Sequence, residues 1–244
     1  GRNATNCFLS RTFGAPTLQN TYTWSGWVKR GDLGRQQSLI ATGSGGFDSL
    51  HFLPSDALGV QAASVTIFTS TQKFRDPTAW MHILMRQNAS GMEFFVNGVS
   101  IGTTASKSNQ INSAIAHQTM SNAASFMING CVARICFVDG LYLAPSDFAE
   151  ANSEGTWISK SQAACKAIVD GPGNNNFMLD FDTGAALANL GNDFSDNNND
   201  WTVNAGFSIT LGADYDWMLD TPSNNHATLN PLNGVGTIAA GNLS

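Results

Sequence analysis

Apolar and polar positions alternate with period two along most of this chain, which is the pattern of half-buried strands. Between Trp80 and Arg86, Met81, Ile83 and Met85 form one apolar set, while Trp80, His82, Leu84 and Arg86 form the other. Glu93–Val96 and Val99–Ile101 then flank Asn97-Gly98, and Asn-Gly between β-formers signals a tight hairpin because a type I′ turn needs positive φ at both central residues. The stretch therefore reads as a three-stranded antiparallel meander. Upstream, Tyr22–Val28 carries aromatic residues on both faces, which suits a strand at the centre of a sheet. Further strands are expected at Cys7–Leu9, Ser38–Thr42, Ser49–Leu53, Ala57–Gln61, Val65–Ser70, Phe126–Ile128 and Cys131–Val138. Arg11–Gln19, Lys29–Gln37, the glycine run at 43–46 and Ser106–Ser113 read as loops.

After Leu141-Tyr142-Leu143 the pattern changes. Residues 145–150 predict a helical turn with Ser146 or Asp147 at its N-cap, and 159–169 predict a second short helix. Short strands are expected at Phe177–Phe181, Trp201–Val203 and Phe207–Ile209. Phe194, Trp201, Phe207, Trp217, Met218 and Leu219 are too many large apolar side chains to leave in water, at roughly 1.5 to 3 kcal/mol each. This segment is expected to wrap against the strands that precede it.

Only 12% of the 244 residues are charged, and 24 are glycine, so the surface is polar through Asn, Ser and Thr, as in turn-rich β structure. A net charge of −6 offers no basic patch for nucleic acid or an anionic membrane, and no run approaches the roughly 20 apolar residues of a membrane span. Cys7, Cys131, Cys136 and Cys165 lack the spacing of a zinc site or a disulfide scaffold. They read as buried free thiols, with Cys131 and Cys136 on opposite faces of one strand, and fit folding in a reducing cytoplasm.

Trp80-x-His82, a short loop and then Phe95-Val96-Asn97-Gly98 resemble the central hairpin of laminin-G-like, concanavalin A-like jelly rolls. TYTWSGWVKR (Thr21–Arg30) before it and GCVARICFVDGLYLAPSDFAE (Gly130–Glu150) after it stand in that family's order. TWISKSQ, LDFDTG, LGNDFSDNNNDWT, DWMLDTPSNN and ATLNPL resemble a tail found in virion proteins of tailed phages. The resemblance implies an all-β, concanavalin A-like (laminin-G-like) jelly-roll sandwich of two antiparallel sheets with a loop-rich C-terminal extension. The expected division is a jelly roll over 1–150 and an extension over 151–244 that packs on it and leads into a further domain. Because the chain starts at Gly1 and ends in GTIAAGNLS, a longer polypeptide is expected. The implied function is a non-enzymatic virion protein, on a tail fibre or as a capsid fibre or decoration, assembled in the bacterial cytoplasm. Its implied partners are other virion proteins, further copies of itself as a trimer, and a host-surface glycan. A glycan-binding lectin-like module is the alternative, and a glycoside hydrolase a third.

Candidate chemistry is thin. A retaining glycosidase needs two carboxyl groups about 5 to 5.5 Å apart, yet Glu93 stands alone in its strand and Glu150 and Glu154 follow a helical turn. No Gly-x-Ser-x-Gly elbow is present. His51, His82, His117 and His226 are scattered, and His82 reads as an imidazole hydrogen-bonded within the sheet. Asp193, Ser195, Asp196, Asn198 and Asp200 place oxygens as Ca²⁺ requires, in a stretch similar to Asp-x-Ser-Gly-x-Gly-Asn of laminin-G-like proteins with Asp196 and Asn198 in place of the glycines. The preferred reading is an Asx-turn loop whose side chains bond their own backbone. No catalytic, cofactor or metal residue is assigned. For sugar stacking, Trp157, Trp201 and Trp217 are the candidates near loops, whereas Trp24, Trp27 and Trp80 read as core.

Overall fold

The computed structural model describes residues 8–43, 48–107, 110–121, 126–181 and 189–204. Fifteen strands, β1 Leu9–Thr12, β2 Tyr22–Arg30, β3 Gln37–Thr42, β4 Ser49–Phe52, β5 Ala57–Ala62, β6 Val65–Lys73, β7 Met81–Asn88, β8 Gly91–Val96, β9 Val99–Thr104, β10 Ala116–Thr119, β11 Gly130–Asp139, β12 Ala149–Ala151, β13 Trp157–Ser159, β14 Phe177–Leu179 and β15 Thr202–Val203, are described. The two helices are α1 Pro145–Phe148 and α2 Gln162–Val169. One sheet has the order β15-β1-β10-β3-β4-β5-β6, the other β14-β11-β2-β7-β8-β9, and β12–β13 make a small hairpin. Neighbouring strands run antiparallel, as in β2 with β7 and β7 with β8. The two large sheets make the concanavalin A-like jelly-roll sandwich that the resemblance implies.

The core between the sheets holds Tyr22, Trp24, Phe52, Met85, Phe94, Phe137, Phe177 and Trp201. β2 lies between β11 and β7, as its two apolar faces require, with Tyr22 and Trp24 inward and Trp27 on the outer side. Asn97 and Gly98 have φ of 50° and 76°, the left-handed pair that a two-residue hairpin needs. A buried ion pair braces the far side of the sandwich. Arg30 is fully buried, lies over the Phe52 ring and donates to Asp56 (3.2 Å), Gln37 (3.1 Å) and the Phe74 carbonyl (2.6 Å).

A second layer of side chains lies outside the β14–β9 sheet. Leu84, Cys136, Val138 and Met178 pack under Phe148 of α1 and Cys165 and Val169 of α2, while Trp27 and Trp80 pack under Ala149 and Trp157. Phe148, Ala149, Trp157, Cys165 and Val169 thus cover part of this sheet's outer face. Each large sheet also takes an end strand, β14 or β15, from beyond residue 150.

Several details differ from the sequence expectations. Phe126–Ile128 is not a strand; it contributes isolated bonds, from Ser38 N to the Phe126 carbonyl and from Ile128 N to the Met120 carbonyl. β10 was not foreseen, because its inward residues are the polar His117 and Thr119. β1 is displaced to Leu9–Thr12 because Ser10 and Arg11 pair with Gln118 and His117. The first helix is capped at Ala144, whose N–H donates to Asp147 Oδ2 (2.7 Å), so Asp147 acts from within the turn. Cys131 and Cys136 both face the outer layer, since a bulge at Arg134 (φ 45°) inserts one residue between them and restores the same side. Cys7, the strand expected at Phe207–Ile209, Trp217, Met218, Leu219 and His226 lie outside the described residues.

Candidate functional site

The most chemically organised spot is where the β7–β9 hairpin meets the cover. β2 presents Ser25 and β7 presents His82 to the same outer face, in neighbouring registers. Ser25 Oγ lies 2.8 Å from His82 Nε2, and both residues are buried. From β13, the Trp157 indole N–H donates to His82 Nδ1 at 3.2 Å. An indole only donates, so Nδ1 carries the lone pair and Nε2 carries the proton. Nε2–H therefore donates to Ser25.

That polarity is the reverse of a nucleophile–base pair. A serine is activated when the imidazole accepts its proton and a third group accepts from the other ring nitrogen. Here the third group is a donor, so His82 has no lone pair facing Ser25. Burial, between Trp27 (5.1 Å between ring centroids) and Trp157, pushes the His82 pKa down to about 3. His82 is a fixed joint between sheet and cover. The indole also lies over Gly98, where an added Cβ would be 2.8 Å from the ring.

The other described histidines, His51 and His117, are buried as well. Burial lowers His51 to about 4 and His117 to about 4. His51 Nδ1 lies 2.9 Å from Ser49 Oγ, and its Nε2 has no hydrogen-bond partner among the described residues. His117 stacks on Phe13 at 3.8 Å, with carbonyls of Ile115 and Ile111 at 2.8 and 3.0 Å from its two ring nitrogens.

Glu93, Asp56, Asp139 and Asp180 are occupied by donors. Glu93 accepts from Arg86, whose guanidinium lies between the Phe95 and Tyr142 rings, and this hydrogen bond holds its pKa below the usual carboxylate value against desolvation. Desolvation acts most on Asp56 and would raise it, but the Gly34 N–H, Arg75 and Arg30 together hold it low. Asp139, fully buried, ties down the loop at Thr17 (2.7 Å) and Asn112 (2.7 Å). Asp180 meets Arg134 (2.9 Å), the guanidinium that the bulge aims outward. Glu150 is exposed on β12 and Glu154 lies in the turn after it.

In the acidic loop, Asp193 Oδ1 accepts from Met178 N and Ser195 N (2.8 and 2.9 Å), and Oδ2 from Ser195 Oγ and Asn199 N (2.6 and 2.8 Å). Asp200 Oδ1 accepts from Asp193 N (2.8 Å). Asp196 pairs with Lys166 (2.6 Å), and Asn198 takes φ 55° and donates to the Asp196 carbonyl. Arg11 reaches in to the Asp200 carbonyl (2.8 Å) and to Asn199 Oδ1. Cations and N–H groups of the chain itself thus stand among these oxygens, and among the described residues no three His, Cys, Asp or Glu groups converge as a metal site. Of the candidate sugar platforms, Trp201 is buried in the core and Trp157 is half-buried against His82. Sequence reasoning singled out His82, and Trp157 as a sugar platform, but not Ser25 or the meeting of the three; only the imidazole's need for partners pointed that way.

Residues 10–130 match the family described as the Concanavalin A-like lectin/glucanases superfamily. That stretch supplies β1 to β10 of the jelly-roll sandwich, which continues past it through β11, β14 and β15. Similar solved structures include a native heptameric SAP-like pentraxin from Limulus polyphemus, 13% identical over 59% of this chain and 74% of that one, with a TM-score of 0.45. Domain 4 of an extracellular arabinanase from Geobacillus stearothermophilus, in complex with arabinotriose, is 15% identical over 55% of this chain and 65% of that one, with a TM-score of 0.44. The CBM40 of a Ruminococcus gnavus IT-sialidase bound to alpha2,3 sialyllactose is 12% identical over 47% of this chain and 71% of that one, with a TM-score of 0.36. Comparison with curated proteins finds no match.

Proposed function

We propose that the protein is a non-enzymatic structural component of a tailed-phage virion, in a tail fibre or as a capsid fibre or decoration, that meets the host surface. The observation that carries the non-enzymatic part is the Ser25–His82–Trp157 array, in which a serine–imidazole contact is polarised away from proton abstraction. The virion part is supported by the tail resemblance over TWISKSQ, LGNDFSDNNNDWT and DWMLDTPSNN. Assembly in the host cytoplasm, association with other virion proteins and a homotrimer belong to the same reading. Mass spectrometry of purified virions, with a density map that locates the chain, tests it: a stoichiometric copy number is expected, and absence from the particle refutes it.

A second reading, a glycan-binding lectin-like module, is favoured by the match of residues 10–130 to a superfamily of lectins and glucanases. Defined specificity on a glycan array would select it. Release of reducing sugar, abolished by changing one carboxylate, would overturn the non-enzymatic assignment.

A further inference from the structure

We propose that Cys136 and Cys165 are an oxidisable dithiol that closes to a disulfide and staples helix α2 to strand β11. Cys136 stands on the sheet and Cys165 on the helix that covers it, and both are buried in one cluster with Leu84, Val138, Phe148, Val169 and Met178. The two thiols lie in that one cluster close enough to perturb each other's ionisation, and Cys165 Sγ lies 3.7 Å from the Phe148 carbonyl oxygen. Far apart in sequence, they meet only because the cover folds onto the sheet. Cys131, the third described thiol, lies in the separate cluster with Trp27 and Trp80, so the pairing is specific.

The two thiols are not equivalent. The hydrogen bond from Cys136, helped by the Arg134 guanidinium, lowers the Cys165 pKa against its burial. Cys136, hydrogen-bonded to Cys165 and desolvated, is raised well above an ordinary thiol. Cys165 is therefore the first nucleophile. Its thiolate attacks one sulfur of a small-molecule disulfide R–S–S–R, forms the mixed disulfide and expels RS⁻. Cys136 then gives up its proton and attacks Cys165 Sγ, expelling the second RS⁻. Two protein thiols lose two electrons and two protons, and one reagent disulfide becomes two R–SH. Both sulfurs are shielded, so the reagent enters when α2 lifts, and the rate levels off at high reagent concentration once opening limits it.

This inference stands apart from the virion reading and concerns the molecule wherever it meets an oxidising solution. The test incubates the full chain with oxidised glutathione, traps free thiols by alkylation and maps the peptides. The expected result is a Cys136–Cys165 cross-linked peptide and a rise in Tm on the order of 5 to 10 °C, reversed by dithiothreitol. Cys165→Ala and Cys136→Ala lose the link and the rise, while Cys131→Ala keeps both. If the alanine variants fail to fold, oxidised and reduced wild-type protein decide the matter. Cross-links through Cys7 or Cys131 instead, a glutathione adduct that never resolves, or a link without a rise in Tm would overturn the proposal.

Discussion

Lowering the pH from 7 to 5 should remove a large part of this protein's stability, because its described histidines are held neutral inside it. His82 is lowered to about 3, His51 to about 4 and His117 to about 4, each through burial. A depressed folded pKa means that the unfolded chain takes up the proton first. The stabilisation is therefore complete above the ordinary histidine value and is lost as pH falls from there toward the folded values. At pH 5 an unfolded histidine with a pKa near 6.5 is almost fully protonated, and each one kept neutral in the fold costs about 2 kcal/mol. His51 and His82 together give about 4 kcal/mol. His117 adds up to about 2 kcal/mol more, less whatever its flanking carbonyls return by accepting from an imidazolium. Set against a typical stability of about 5 to 15 kcal/mol, the fold should approach its unfolding midpoint between pH 5 and 4. Asp56, Glu93 and Asp170 are held below their ordinary values, so their contribution is lost only at still lower pH. Urea titrations followed by tryptophan fluorescence at pH 7, 6 and 5 measure the loss. A change under about 1 kcal/mol across that range would refute the reasoning.

Three substitutions probe the packing. Asp56→Ala leaves the buried Arg30 guanidinium without its carboxylate and should cost about 3 to 5 kcal/mol, read by urea unfolding, whereas replacing Arg30 and Asp56 together by apolar residues should restore much of it. Trp157→Phe keeps the ring over Gly98 but removes the donor to His82 Nδ1; a loss of about 1 to 3 kcal/mol is expected, and no change would mean that the contact does not form in solution. Gly98→Ala meets both a φ of 76° and the Trp157 ring, so it should lower Tm and speed hydrogen exchange in β12–β13 rather than in the core, a localisation that mass spectrometry resolves.

What the sequence disclosed followed the range over which its signals act. The two aromatic faces of Tyr22–Val28 and the Asn97-Gly98 turn are local, and both stand where alternation put them. β10 escaped because His117 and Thr119 point inward and are satisfied by the carbonyls of Ile115 and Leu39, which no local pattern foretells. The bulge at Arg134 escaped for a related reason. Arg134 is the one charged residue in its apolar run, and nothing local there foretells Asp180 or the positive φ that aims the side chain at it. The His82 joint was half legible: an imidazole in a sheet needs two partners, and one of them came from the far end of the cover.

The register of β1 with β15 has a consequence for how the molecule is made. Leu9 pairs with Val203 and Ser10 with Thr202, so β1 gains this neighbour only after nearly 200 further residues have been made. β11 likewise waits for β14. Contacts so remote in sequence are slow to form, and until they do the nascent chain exposes unpaired strand edges of the kind that aggregate. The chain is thus most vulnerable during its own synthesis, and crowding of many copies at that stage should limit its yield more than the finished fold's stability does.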